Sequence, residues 1–440
     1  MKKFIETIKH IWKTEELRKR IIFTLSMILI YRIGSFIILP GIDQNAMSAG
    51  AGSNSGLAGI LDLFAGGAFS KASVMALGIM PYISASIIMQ LLGMAVPVVQ
   101  KMQKDGESGR RKINNYTRIL TIVICAFQGP AYLKMYVGSS NAIIDNSVMW
   151  WAMAMTVLIA GTMFATWIGE RITDNGVGQG ISILITVGIL ARFPGAIAQE
   201  FILTDSAIYL NIIKVLVFFG ILMATVLIVQ GVRRLPINYA KRVAGGGAVT
   251  EQSSRSYIPL KVNASGVMPI IFAQAIMSVP MMVIGQTSNP FLIGLKDMFS
   301  WQYNLVFGIL IIVFTFFYTA ITINPKQIAD DLKRNGGFIP GVKPGIDTAN
   351  RIDDVVSKIT LPGSILLALI AVIPAFAYVA GFTQNFAMFM GGTSILIMVG
   401  VVLDTLQQIE TYLMNQHYDG LMEGGKIRGR RAANEMSNVI

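Results

Sequence analysis

Ten runs of about twenty mostly apolar residues recur along the chain, and an α-helix needs that length to cross a hydrocarbon core of ~30 Å. They fall near residues 21–39, 73–98, 117–136, 148–168, 177–193, 210–232, 263–285, 303–323, 359–380 and 388–409. Lipid offers no partner to a backbone amide, so such runs fold as helices packed into a bundle. Only 14% of the 440 residues are charged, against about a quarter in soluble domains. Most of the surface is therefore expected to face lipid. The fold class is an all-α polytopic membrane protein with ten transmembrane helices.

Charge sets the expected sidedness. All but six of the 36 Lys and Arg lie in or beside alternate connectors, beginning with residues 1–20 and ending with the tail 410–440. The exceptions are Arg32, Lys71, Lys134, Arg192, Lys214 and Lys296. Basic connectors stay on the cytoplasmic side, so both termini are expected there, and an even number of spans returns the chain to its starting side. The basic start has the look of a signal-peptide n-region. The apolar run after it is too long, and it ends in Leu39-Pro40-Gly41 without a small-x-small cleavage signal. It reads as a retained first span.

The reactive inventory is small. Cys125 is the single cysteine, and the two histidines, His10 and His417, lie in terminal segments. No internal disulfide, metal cluster or His-dependent catalytic group is expected at membrane depth, and no cofactor.

Two connectors are long: Arg233–Lys261, with Gly245-Gly246-Gly247, and Asn324–Lys358, with Pro340-Gly341-Val342-Lys343-Pro344-Gly345. Topology retention explains a few charges beside a helix end. Loops of about 30 residues suit docking of a polyanionic RNA or an acidic protein face.

Residues 57–72 are apolar but too short to span. Leu57, Ile60, Leu61 and Phe64 recur at helical spacing, Gly66-Gly67 breaks the pattern, and Asp62 and Lys71 are costly against lipid. Two placements fit: re-entry into the bundle from the outer side, or an amphipathic helix lying on the outer surface. Arg32, alone in mid-span, is expected to face the bundle or to snorkel rather than to serve a proton relay.

Several stretches taken together resemble one family. They are Arg32-Ile33-Gly34-Ser35-Phe36 with Pro40-Gly41-Ile42-Asp43, and Ala76-Leu77-Gly78-Ile79-Met80-Pro81-Tyr82-Ile83-Ser84. Then come Gly106-Glu107-Ser108-Gly109-Arg110-Arg111-Lys112, Gly178-Gln179-Gly180-Ile181-Ser182-Ile183, Asn238-Tyr239-Ala240-Lys241-Arg242, Pro259-Leu260-Lys261-Val262-Asn263 and Gly391-Gly392-Thr393-Ser394. In this order and at these separations the chain resembles the SecY/Sec61-alpha family of protein-conducting channels over essentially its whole length.

The resemblance implies two pseudo-symmetric inverted halves around a central pore. Residues 21–193 would hold spans 1–5, 194–209 an external connection, and 210–409 spans 6–10. It implies an aliphatic pore ring of Ile79, Ile83, Ile181, Ile185, Ile271 and Ile397. It makes Leu57, Ile60, Leu61, Phe64, Gly66 and Gly67 a re-entrant plug. Ser84, Gln90, Gln128 and Asn263 would line or pin a lateral gate between spans 2–3 and 7–8. Arg242, Arg255, Lys333, Arg334 and Lys343 would belong to partner-docking loops. The implied partners are SecE and SecG in the membrane, the SecA ATPase, the ribosome, signal peptides and unfolded polypeptides, and the lipid bilayer. The family commonly carries arginine where this chain has Lys343, and lysine lacks arginine's bidentate fork.

A saturated ring suits such a pore. It offers a passing chain no hydrogen bonds, and a narrow apolar collar resists wetting. The rival class is a secondary transporter, which is also built from repeats with broken helices but usually shows carboxylates or histidines near the midplane.

The sidedness is testable with an impermeant thiol reagent added outside intact cells. Cysteine in place of Lys9, Gly246, Gly336 or Gly424 should be shielded, whereas cysteine in place of Asn141 or Ser288 should react. Labelling of Gly246→Cys from outside contradicts the ten-span topology.

Overall fold

The computed structural model describes residues 14–50, 57–138, 142–144, 146–203, 208–239, 256–283, 294–295 and 297–424. Each predicted run contains a helix. In the first half these are α1 (Glu15–Gly34), α4 (Met80–Ala95), α6 (Gly106–Tyr132), α7 (Val148–Asn175) and α8 (Gly180–Leu203). In the second half they are α9 (Ile208–Gln230), α10 (Met268–Val283), α11 (Trp301–Thr322), α13 (Ile346–Val379) and α15 (Gly392–Gly424). Shorter helices lie between them: α2 (Gln44–Gly50), α3 (Leu57–Phe64), α5 (Pro97–Lys104), α12 (Pro325–Arg334) and α14 (Gln384–Met390). Their starts follow sequence rules. Ser147 and Ser300 accept hydrogen bonds from Trp150 N and Tyr303 N, and Asn324 accepts one from Gln327 N, each at an N-cap.

Among the described residues, six helices are long and apolar enough to cross a membrane unaided. The spans near 21–39, 73–98 and 263–285 depart from their predicted bounds in an informative way. α1 ends at Gly34, and the rest of its run is extended, with Ile38 bridged to Ser73 and Leu39 N donating to Ala72 O at 3.0 Å. α4 starts only at Met80, and α10 only at Met268. Non-helical backbone at these depths is sheltered by protein, as lipid requires. Beyond α4 the chain bends by 103° into the polar α5, which is therefore not a continuation of the span. α8 runs through Pro194 to Leu203, so the connection expected at 194–209 is largely helix, held by Phe193 against Phe218 and Phe389.

Hydrogen bonds tie helices and connectors together at two levels, in an order consistent with ten spans. On one side Asp43 N donates to Ala142 O at 2.8 Å and Trp150 Nε1 to Pro40 O at 2.9 Å. On the other side Val177 N donates to Thr24 Oγ1 at 3.1 Å, and Gly178 N to Gln408 Oε1 at 2.9 Å.

The long basic connectors are not separate loops. β1 (Val232–Tyr239) pairs antiparallel with β2 (Ser256–Lys261), from Val232↔Lys261 to Ile237↔Ser256, and its far end pairs with β3 (Gly337–Phe338) of the second connector. Alternation along β1 turns Leu235 and Ile237 inward. With Leu260 they pack on Leu332, Ile339, Ile352 and Val356. One small sheet thus fuses both connectors into a single body, a feature the all-α expectation for the spans did not include.

Candidate pore and plug

Four helices carry the proposed ring, and a glycine with positive φ precedes or opens each: Gly78, Gly178 and Gly266 shortly before theirs, and Gly392 as the first residue of its own. The breaks occur at matching places in the two halves, before the second and fifth spans of each. Ile185 and Ile397 are buried, and Ile83, Ile181 and Ile271 pack beside them in one cluster with Ile189, Ile395, Leu63 and Phe64. The last two belong to α3, so this short helix packs against the candidate ring residues. Ile79 sits apart. It occupies the N-cap of α4 rather than the helix interior and is buried against Tyr31, Met75, Ile168, Ile172 and Leu184. Ile83 and Ile181 touch both clusters.

α3 forms where the apolar spacing predicts it, and it lies inside the bundle rather than on a surface. The side chains of Leu57, Ile60 and Leu61 are outside the described residues. Phe64 is buried, and Gly66 and Gly67 turn the chain at φ +61° and +93°. That turn nests against α8. A Cβ at Gly188 would stand 2.7 Å from Phe64 O, and one at Gly66 would stand 2.8 Å from Gly188 Cα. Neither position accepts a side chain without moving the plug.

Charge fastens the same turn. Asp62 is 2% exposed. Its carboxylate pairs with the Arg192 guanidinium of α8 and accepts Ser70 N at 2.8 Å. Arg192 also donates to Ser70 Oγ at 2.8 Å, and Arg32 Nη1 donates to Gly66 O at 3.2 Å. Arg32 therefore faces the bundle, one of the two placements that its isolation in the first span left open. Beyond the turn, Tyr132 OH donates to Phe69 O at 2.8 Å, with Phe69 packed on Tyr132 and Tyr136. Burying Leu63 and Phe64 contributes roughly 1.5–3 kcal/mol each. The Arg192 side chain keeps 35% of its surface exposed, so solvent screens the pair; its part is to hold α3 in one register, since a buried carboxylate without its cation is penalised.

The polar gate candidates are less concentrated. Ser84 and Gln90 lie on α4 and Gln128 on α6, all partly buried. Asn263 is buried but precedes α10 in a turn, where its Oδ1 accepts Ser265 Oγ at 3.3 Å. It is therefore not on a span helix. Among the described residues no hydrogen bond joins these four. Of the docking residues, Arg242 and Arg255 lie outside the described residues. Lys333 and Arg334 close α12, exposed. Lys343 is exposed at the tip between Gly341 and Gly345, and its carbonyl accepts Thr348 Oγ1 at 2.8 Å.

Sequence reasoning missed three contributors. Arg192 and Gly188 were read only as span residues, although an opposite charge for Asp62 at membrane depth was the signal to look for. Glu200, fully buried, pairs with Lys214 at 2.5 Å and accepts Thr383 N at 2.9 Å, joining α8 to the second half.

Comparisons with known proteins agree with this architecture. The SecY family model matches residues 73–406. The Protein translocase subunit SecY of Thermotoga maritima is 39% identical, covering 97% of this chain and all of that one. That of Chlamydia trachomatis is 37% identical, covering 96% and 99%. A solved protein-conducting channel superposes with a TM-score of 0.60 at 17% identity, covering 90% of this chain and 92% of its own. A second has a TM-score of 0.61 at the same identity and coverages, and its description says that the SecY plug domain stabilises the closed state and maintains a membrane seal.

Two substitutions test the seating of α3. Arg192→Gln leaves the Asp62 carboxylate buried without its cation, and Gly188→Val pushes Phe64 away. Each should raise the resting ion conductance of single channels in planar bilayers. Conductance as low as the parent's for both would place the seal elsewhere.

Proposed function

The chain belongs to the SecY family, and from that membership we propose that it is the central subunit of the channel that exports proteins across the bacterial plasma membrane. The same channel releases membrane segments sideways into lipid through a gate between α4/α6 and α10/α11. The observation that supports this reading best is the short helix α3, whose Leu63 and Phe64 pack in one cluster with Ile83, Ile181, Ile185, Ile271 and Ile397 from both halves. A solute transporter needs an occluded polar site at that level. Here the level is apolar, and the buried carboxylates Asp62 and Glu200 are each spent on an ion pair. None of the relatives or solved structures favours the transporter reading.

In this proposal the channel does no chemistry of its own. Ile83, Ile181, Ile185, Ile271 and Ile397 form the gasket, and Ile79 braces it from behind. Leu57, Ile60, Leu61 and Phe64 are the plug, turned at Gly66-Gly67. Ser84, Gln90, Gln128 and Asn263 tune the gate, since a polar contact between membrane helices contributes about 0.6–2 kcal/mol. SecE and SecG complete the membrane complex. SecA or a translating ribosome supplies the driving force from the cytoplasm, where both termini lie. Two solved structures of similar fold, of the canine Sec61 ribosome-channel complex and the yeast Ssh1 complex on the 80S ribosome, are ribosome-bound. The fused sheet of the two basic connectors, with Lys333, Arg334 and Lys343 displayed on it and Arg242 and Arg255 beside it in sequence, is the docking surface.

Reconstitution with a secretory precursor, SecA and ATP tests the reading, and Lys343 tests the docking surface within it. Lys343→Glu should insert normally, by protease accessibility, yet strongly lower ATP-dependent transport into inverted vesicles. Lys343→Arg should transport at least as well as the parent. The deficit should vary with salt, because exposed charges are screened over ~8–10 Å at physiological ionic strength. Undiminished transport by the Glu variant would show that the charge serves only topology.

A further inference from the structure

The contacts around Asp62 divide into a part that leaves with the plug and a part that stays. α3 ends at Phe64, and the turn at Gly66-Gly67 separates it from the segment that follows. That segment is anchored independently. Ser73 bridges Ile38, Val74 N donates to Ile37 O at 2.8 Å, and Phe69 O accepts Tyr132 OH. Ala68, Phe69, Ala72, Ala76 and Leu77 are buried in the core of the first half. When α3 withdraws, Asp62 goes with it. Ser70 and Arg192 remain.

What remains is a set of donors already arranged for a carboxylate. Ser70 N points to where Asp62 Oδ1 stood. Arg192 keeps its hydrogen bond to Ser70 Oγ, which holds the guanidinium in place. Arg32 loses its Gly66 carbonyl partner if the turn swings and then adds a second cation beside the first. Lys71, over the Phe36 ring at 4.0 Å, also stays. A guanidinium fork with a backbone N–H beside it is the strong form of carboxylate recognition.

We propose that Arg192 and the Ser70 backbone N–H form a carboxylate-binding site on the wall of the channel, filled at rest by the plug's own Asp62 and, in the open channel, by Asp and Glu side chains of the polypeptide in transit. Asp62 is then both a latch and a stand-in for substrate. The vacated site lowers the barrier for acidic stretches and raises it for basic ones. The inference rests on the channel reading above.

The test uses the reconstituted complex with two precursors that differ by four inserted Asp or four inserted Lys, with the membrane potential collapsed. The parent should transport the Asp precursor about threefold faster, the scale of a solvent-accessible ion contact. Arg192→Gln should erase that ratio, and Arg192→Lys should keep part of it. Asp62→Asn loosens the plug as Arg192→Gln does but leaves the donors, so it should keep the full ratio. Ser70→Ala, which removes the hydroxyl that accepts from Arg192 and donates to Gly67 O at 3.3 Å but leaves the backbone N–H in place, should reduce the ratio and serves if Arg192→Gln fails to assemble. Equal rates for the two precursors in the parent, or an unchanged ratio in Arg192→Gln or Ser70→Ala, overturns the site. Failure of the parent to transport either precursor overturns the channel reading instead.

Discussion

A membrane interior gives an unpaired amide no water, and the departures of this chain from ten plain helices are answers to that constraint. Where α1 stops short, the extended residues 37–39 find partners in 72–74. Where the ring helices begin late, the loops before them are enclosed by neighbouring spans. Non-helical backbone is affordable only inside the bundle, so breaking a helix and building a cavity are one act. The re-entrant segment is the largest such break, and it sits where the two halves leave room.

Charge then does what apolar packing alone cannot. Leu63 and Phe64 on an isoleucine surface form a non-directional contact that tolerates sliding. Asp62 with Arg192 and Ser70 gives that contact a single register, because a displaced carboxylate leaves an uncompensated charge at depth. The close approach of Gly188 to the Phe64–Gly66 backbone fixes the same register from the steric side. A helix held this way is fixed in one register by few groups, which suits the plug role proposed for α3. Glu200 and Lys214 apply the same device about two turns further along α8, tying it to the second half.

Much of this was legible in the sequence, for physical reasons. Long apolar runs have strong period and composition signals, so the helical runs were readable, as was α3 from Leu57, Ile60, Leu61 and Phe64. Helix ends inside the bundle were not, because the breaks at Gly78 and Gly266 are single positive-φ turns that leave hydropathy unchanged. The sheet joining the two basic connectors was hidden for a related reason: β3 is two residues long and exists only because β1 is beside it. Ile79 shares the i, i+4 spacing with Ile83, and spacing alone could not place it at a cap facing a different cluster. The Asp62–Arg192 contact joins residues 130 positions apart, and no local pattern encodes it.

The central claim is that the polypeptide passes between the two halves, through the constriction on which α3 rests. Disulfide capture of a stalled precursor tests it most directly. In a Cys125→Ser background, cysteine would replace Ile83, Ile185 or Ile397 of the constriction, or Leu216 or Leu227 on the outer face of α9, which are 69% and 67% exposed. A precursor arrested in transit with one cysteine at mid-channel should cross-link to the constriction positions and not to Leu216→Cys or Leu227→Cys. Equal capture at both sets of positions, or capture at α9 alone, would contradict the account.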